Sequence, residues 1–174
     1  GVISIMYHRF NENKYPSTNI KIEIFKEHIK LIKDKNIIFY NPGEFDNDYK
    51  NVKSKKRILI TIDDAFLSFY NEAWPILKEE KIPFILFVST EPVGKKGYMN
   101  WEQIIEISSY DFAYIGNHSH THEYLLDFSH IEFQKDIKQS IKIFKEKLGY
   151  NPIFFSYPFG EYNLKQTQFI EKNF

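Results

Sequence analysis

The sequence predicts an α/β domain built on a parallel sheet, and three observations predict it. Six short apolar runs alternate with longer stretches whose apolar residues recur every three to four positions. Strands separated by helices pair in parallel, with helices covering both faces. Three polar clusters each fall directly after an apolar run, which is where parallel α/β folds assemble their sites. Six strands suit an open doubly wound sheet or an incomplete barrel. With 174 residues and no evident linker, low-complexity segment or internal repeat, residues 1–174 read as one domain.

The elements follow in order. Val2–Tyr7 is short and apolar, a candidate buried strand. Ile22–Lys35 carries Ile22, Phe25, Ile29 and Ile32 on one helical face, and Ile37–Tyr40 reads as a strand. Asn41-Pro42-Gly43 breaks the chain. Lys53–Arg57, together with Lys50, is a basic run that reads as a solvated turn. Arg57–Ile62 is the clearest strand, followed by a helix over Leu67–Glu80 in which Pro75 predicts a kink or late start. Pro83–Val88 is the next strand. Trp101–Ser109 is a helix capped by Asn100, and Phe112–Gly116 a strand. Ser129 caps a long helix with Ile137, Ile141, Phe144 and Leu148 on one face, closed by Gly149. Ile153–Tyr157 is the sixth strand.

Composition narrows the function classes. Lys+Arg and Asp+Glu are both 23, so no basic excess points to nucleic acid. The absence of cysteine excludes disulfides, thiolate ligands and a Cys nucleophile. No apolar run approaches the roughly 20 residues of a membrane span, and no signal peptide is visible, although the chain opens on Gly1 directly before a strand. The aromatic share is 18%, with 17 Phe and 12 Tyr, a composition that suits a sugar-binding cleft as well as a core.

Asp63 and Asp64 end the run R-I-L-I-T-I-D-D. Neighbours on an extended backbone point to different sides, so one can bind a cation while the other reaches a metal-bound water; as an isolated pair they would simply cap the next helix. His118, His120 and His122 alternate in H-S-H-T-H. A strand would put all three on one face, whereas a helical turn would bring His118 and His122 together and turn His120 away. Two imidazoles and one carboxylate form an open ligand set suited to Zn²⁺, and also to Fe²⁺, Co²⁺ or Ni²⁺. Tyr157-Pro158-Phe159-Gly160 is a tight turn whose N–H groups could hold an oxyanion. His8 and Arg9 follow the first strand and either line the same mouth or form a structural salt bridge. His28 and His130 read as solvated, and Tyr98 and Trp101 as a sugar-stacking rim or as ordinary packing.

These residues resemble the polysaccharide deacetylase family, carbohydrate esterase family 4, which carries T-F-D-D-G, H-S/T-x-x-H and R-x-P-Y-G-like motifs in this order. Here they stand as T-I-D-D-A (Thr61–Ala65), H-S-H-T-H (His118–His122) and S-Y-P-F-G (Ser156–Gly160). The opening I-M-Y-H-R-F is similar to the start common in the branch that acts on exported amino-sugar polymers. The resemblance runs from Ile5 to Asn163. It implies a distorted (β/α) barrel, with Asp63 as general base and Asp64, His118 and His122 as ligands of a divalent metal. It further implies that the Phe159 N–H donates to an oxyanion, with Tyr157 and Pro158 beside it. Ala65 replaces the family's Gly, and Ser156 stands where many members have Arg. The family's later L-x-H motif, which supplies a general-acid His, does not occur up to Phe174, so the barrel is expected to be incomplete at its C-terminus.

The resemblance implies a metal-dependent hydrolase that removes N-acetyl groups from the amino sugars of a glycan, acting outside the cytoplasm or at the envelope. The alternative is a catalytically weak, metal-containing carbohydrate-binding module.

Overall fold

The structure, a computed structural model, describes residues 1–45 and 55–174. Its strands are β1 (Val2–Tyr7), β2 (Arg9–Phe10), β3 (Asn19–Ile20), β4 (Ile38–Phe39), β5 (Arg57–Asp63), β6 (Phe84–Val88) and β7 (Ala113–Asn117). Its α-helices are α1 (Ile22–Asp34), α2 (Trp74–Glu80), α3 (Trp101–Ser108), α4 (His130–Leu148) and α5 (Leu164–Asn173). The main sheet runs β1-β5-β6-β7, with all pairs parallel. β4 pairs with Arg57 and Ile58 of β5, and β6 with Ile60–Asp63. Because β1 pairs along Arg57–Ile62, β4 and β6 share the opposite edge of β5. β2 and β3 form a separate two-residue pair. The sheet does not close into a barrel among the described residues.

The sequence periodicities explain the layers. α1 buries Ile22, Phe25, Ile29 and Ile32, the residues at three-to-four spacing. β6, F-I-L-F-V, is buried at all five positions, as a central parallel strand must be. Phe84 and Leu86 pack with Ile60 and Ile62 of β5, Phe25 of α1, Ile104 of α3 and Phe144 of α4 in one core. A smaller cluster joins Leu125, Phe133, Ile137 and Ile170, seating α5 on α4. α3, α4 and α5 each open on a capping box, from Asn100, Ser129 and Asn163 respectively. The helix expected over Leu67–Glu80 begins as a π-helical turn, Phe69–Ala73, and becomes α-helical at Trp74. Pro75 lies in the first turn of α2, where its missing N–H is tolerated.

Three expectations need correction. β1 is not buried: among the described residues it pairs with β5 alone, and Val2, Ile3 and Met6 are 40%, 65% and 58% exposed. Ile153–Tyr157 is not a strand, since one bridge between Asn117 and Phe155 is all that pairs it with β7. Its backbone is held at two points, by Asn117 N–H to the Phe154 carbonyl and Ser156 N–H to the Asn117 carbonyl. His28 is not merely solvated, because its Nδ1 lies 2.9 Å from the hydroxyl of buried Tyr7. Trp101 packs against Phe144 of the core, the ordinary packing its sequence position allowed. Of the basic run, Lys50, Lys53 and Ser54 lie outside the described residues; Lys55 and Lys56 are exposed.

Candidate metal and catalytic site

The three polar clusters converge at the C-terminal ends of β5 and β7. Asp63 closes β5 and is buried. Asp64 and Ala65 then leave the strand in left-handed conformation (φ 74° and 52°). His118 follows β7 directly and is 2% exposed. Gly116, two residues earlier, is required by space: a Cβ there would lie 2.3 Å from the Phe87 ring.

The expected helical turn over the histidines is absent. Residues 118–122 form an irregular loop with Ser119 and His122 left-handed (φ 71° and 61°). This path still brings the His118 and His122 rings to a centroid distance of 5.0 Å. His120 points elsewhere, with Nδ1 2.8 Å from Thr90 Oγ1.

His118 Nδ1 donates to the Ser156 carbonyl at 2.8 Å, which fixes the tautomer and leaves Nε2 bare. That Nε2 lies 3.4 Å from Asp64 Oδ1 and 3.9 Å from Asp63 Oδ2. His122 Nε2 lies 2.9 Å from the same Asp64 oxygen. Asp64 Oδ1 is buried and makes no well-formed hydrogen bond. Ligand atoms of Asp64, His118 and His122 all fall within 4.8 Å of one another. A buried, unsatisfied carboxylate oxygen facing a bare imidazole nitrogen is the arrangement a divalent cation satisfies.

Electrostatics separate the two carboxylates. Burial pushes Asp63 above its ordinary value, against the opposing influence of His118 and His8. Burial also pushes Asp64 up, but the two imidazoles more than offset it and hold this carboxyl well below the usual range. Burial lowers His122, and the Asp64 contact outweighs it, so the net shift is upward. One carboxylate is thus tuned towards proton uptake and its neighbour towards permanent charge.

A cavity of about 170 Å³ opens on this cluster, lined by Asp64, His122, Arg9, Phe66, Ser89 and Tyr98 among others. A larger cleft of about 420 Å³ beside Pro42, Ile153, Phe154 and Phe174 holds no titratable side chain among the described residues. Arg9 therefore lines the mouth, and it is salt-bridged as well: its guanidinium reaches Glu12 at 2.8 Å and lies 3.5 Å from the Phe66 ring centroid. Tyr98 stacks on Phe66 at 5.0 Å and joins the rim. On the far side of His122 stands Phe159, 64% exposed, with its ring 5.3 Å from the imidazole.

The family model for polysaccharide deacetylase matches residues 50–173. The chain belongs to the polysaccharide deacetylase family. It is 27% identical over 168 residues to the poly-β-1,6-N-acetyl-D-glucosamine N-deacetylase of Staphylococcus epidermidis, covering 86% of this chain and 56% of that protein. A Staphylococcus aureus enzyme of the same name is 28% identical over 162 residues, covering 85% of this chain and 56% of that one. The chain spans 56% to 60% of the length of the curated relatives it matches first. Among solved structures, IcaB from Ammonifex degensii superposes with a TM-score of 0.88 at 26% identity, covering 99% of this chain and 80% of that one. The Streptococcus pyogenes deacetylase PplD shares the fold, with a TM-score of 0.87 at 24% identity and coverage of 98% and 79%. The family depends on a divalent metal, and in this chain the Asp64–His118–His122 group is suited to holding one.

Several braces around the site escaped the sequence reading. Ser89 Oγ donates to the His118 carbonyl, and the buried Asn117 amide accepts from Ser119 N–H while donating to Ser140 Oγ. Asp136 of α4 accepts from the backbone of His120 and Thr121. The available signal for Asp136 and Ser140 was a pair of polar residues on the apolar face of α4, between Phe133, Ile137 and Phe144.

Proposed function

We propose that this domain hydrolyses the N-acetyl groups of amino sugars in a glycan, with a divalent metal on Asp64, His118 and His122. The observation that carries the reading is the convergence of these three donors within 4.8 Å, beside a second, buried carboxylate of opposite pKa shift. Zn²⁺ suits two imidazoles and one carboxylate, and Co²⁺, Ni²⁺ or Fe²⁺ can take the same ligands. A cation held there supplies Lewis acidity towards the acetamide carbonyl and towards water.

The remaining steps belong to the chain's own side chains. Asp63, with its raised proton affinity, accepts the proton of the attacking water. In the turn after Tyr157, Pro158 has no N–H and the Gly160 N–H is donated to the Tyr157 carbonyl, which leaves the Phe159 N–H to stabilise the developing oxyanion. The C–N bond breaks, and a protonated group, either the general-acid His of the family's L-x-H motif or a residue such as His8, gives the leaving amine its proton. Arg9, Phe66 and Tyr98 receive the neighbouring sugar on one side of the site, and Phe159 and Tyr157 on the other.

The names of the staphylococcal relatives favour β-1,6-linked N-acetylglucosamine polymer as the substrate, and with it an extracytoplasmic or envelope location. No helix among the described residues is long and apolar enough to cross a membrane. The test is acetate release from β-1,6-linked N-acetylglucosamine oligomers, compared with chitin and peptidoglycan fragments. Chelation should abolish release and added metal restore it. Asp63→Asn should lose about 10²- to 10⁴-fold in rate while still binding metal. Full activity in that variant would rule out Asp63 as the base.

A further inference from the structure

The loop that carries both histidines is an unfavourable piece of backbone. Two of its five residues, Ser119 and His122, are left-handed without being glycine, a conformation that side chains with a Cβ disfavour. Ser119, His120 and Thr121 separate His118 from His122, so holding the peptide units of His120 and Thr121 restrains the separation of the two histidines. One side chain grips both. Asp136 Oδ1 accepts from His120 N–H at 2.8 Å, and Oδ2 accepts from Thr121 N–H at 3.0 Å and from Thr121 Oγ1 at 2.7 Å. The Asp136 side chain comes from the second turn of the long helix α4, whose start is fixed by the Ser129–Glu132 capping box. Asp136 is 6% exposed and forms no salt bridge among the described residues, so these donors are what stabilise its buried carboxylate.

We infer that Asp136 is the positioning residue for the metal site: its carboxylate clamps the backbone between His118 and His122 and thereby holds their Nε2 atoms towards Asp64. The inference rests on the reading of Asp64, His118 and His122 as metal ligands. The chemistry demands a carboxylate, because all three partners are donors and both oxygens are used. An amide of the same shape would turn an NH₂ group against a donor, so Asp136→Asn loses more than a charge. Other braces hold the loop, but none takes both N–H groups: Asn117 accepts from the Ser119 N–H, Ser119 Oγ accepts from the His122 N–H, Ser89 donates to the His118 carbonyl, and the Thr90 and Glu91 N–H groups donate to the Ser119 and His120 carbonyls.

The experiment is a Co²⁺ titration of the wild-type chain and of Asp136→Asn, Asp136→Ala and Thr121→Val. Affinity and the visible ligand-field spectrum are read together with the far-UV circular dichroism of each metal-free protein. Asp136→Asn should keep the metal-free spectrum of the wild type, bind Co²⁺ about 10- to 100-fold more weakly and show altered ligand-field bands. Thr121→Val removes one of the three donors and should weaken binding by a smaller factor. This variant gives a graded reading even if Asp136→Ala does not fold. Wild-type affinity and wild-type bands in the folded variants would overturn the clamp while leaving the metal site intact. Failure of the wild-type chain to bind Co²⁺ would overturn the metal site, and the clamp with it.

Discussion

At the scale of single residues, the site shows how neighbours of one type acquire different surroundings. Asp63 ends a strand and keeps its extended backbone, while Asp64 and Ala65 swing into left-handed conformation; both carboxylates reach His118, and only that of Asp64 also reaches His122 at 2.9 Å. Gly116 is a second residue that space has chosen, under the Phe87 ring. Gly116→Ala should destabilise the fold by about 1–3 kcal/mol through overpacking, read as a lowered midpoint in chemical denaturation. Tyr7 offers a prediction in pH. Its hydroxyl is buried beside His28 and burial pushes it up to about 12, above the ordinary 10. The folded state therefore holds this proton more tightly than the unfolded chain does. Its contribution is complete below pH 10 and is lost as pH rises from 10 to 12, on the order of 2–3 kcal/mol. Tyr7→Phe should flatten the fall in stability over that window; an unchanged slope would mean that Tyr7 is not its source.

At the scale of elements, α4 links the core to the site. Phe133, Ile137 and Phe144 seat it, while Asp136 and Ser140 on the same face engage the residues around His118. Its register is set at its start, where Ser129 accepts from Glu132 N–H and the Glu132 side chain accepts from Ser129 N–H. Ser129→Ala should cost about 1 kcal/mol of stability, measured by thermal unfolding. Most elements were legible because their apolar spacing was regular: α1 buries the four residues its period predicts, and β6 is a continuous apolar run. Others were not: α5 and the short β2–β3 pair were not foreseen, and two stretches took another form than expected. Ile153–Tyr157 has strand composition but only one bridging partner, and the histidine loop has helical spacing without helical backbone. Pairing and left-handed turns depend on groups distant in sequence, here Asn117, Thr90 and Asp136.

At the scale of the whole molecule, the ends of β5 and β7 and the turn after Tyr157 form one site, so a ligand there should stabilise the entire fold. A metal at 100 times its dissociation constant adds about 2.7 kcal/mol. Chelation should therefore lower the melting temperature of the wild-type chain and leave that of Asp64→Ala unchanged, as read by calorimetry with and without chelator. An equal response in both would place the metal elsewhere.

The sequence by itself determined the α/β class, the order of the main helices and strands, and which side chains could ligate a metal. Hydrophobic period and residue chemistry are local properties, and they survive without coordinates. Only the tertiary structure decided that Asp64, His118 and His122 meet within 4.8 Å, that His120 turns to Thr90, and that Arg9 lines the cavity. Those outcomes depend on which strands lie side by side and on buried donors finding acceptors more than ten residues away. Spacing along the chain does not encode such pairings.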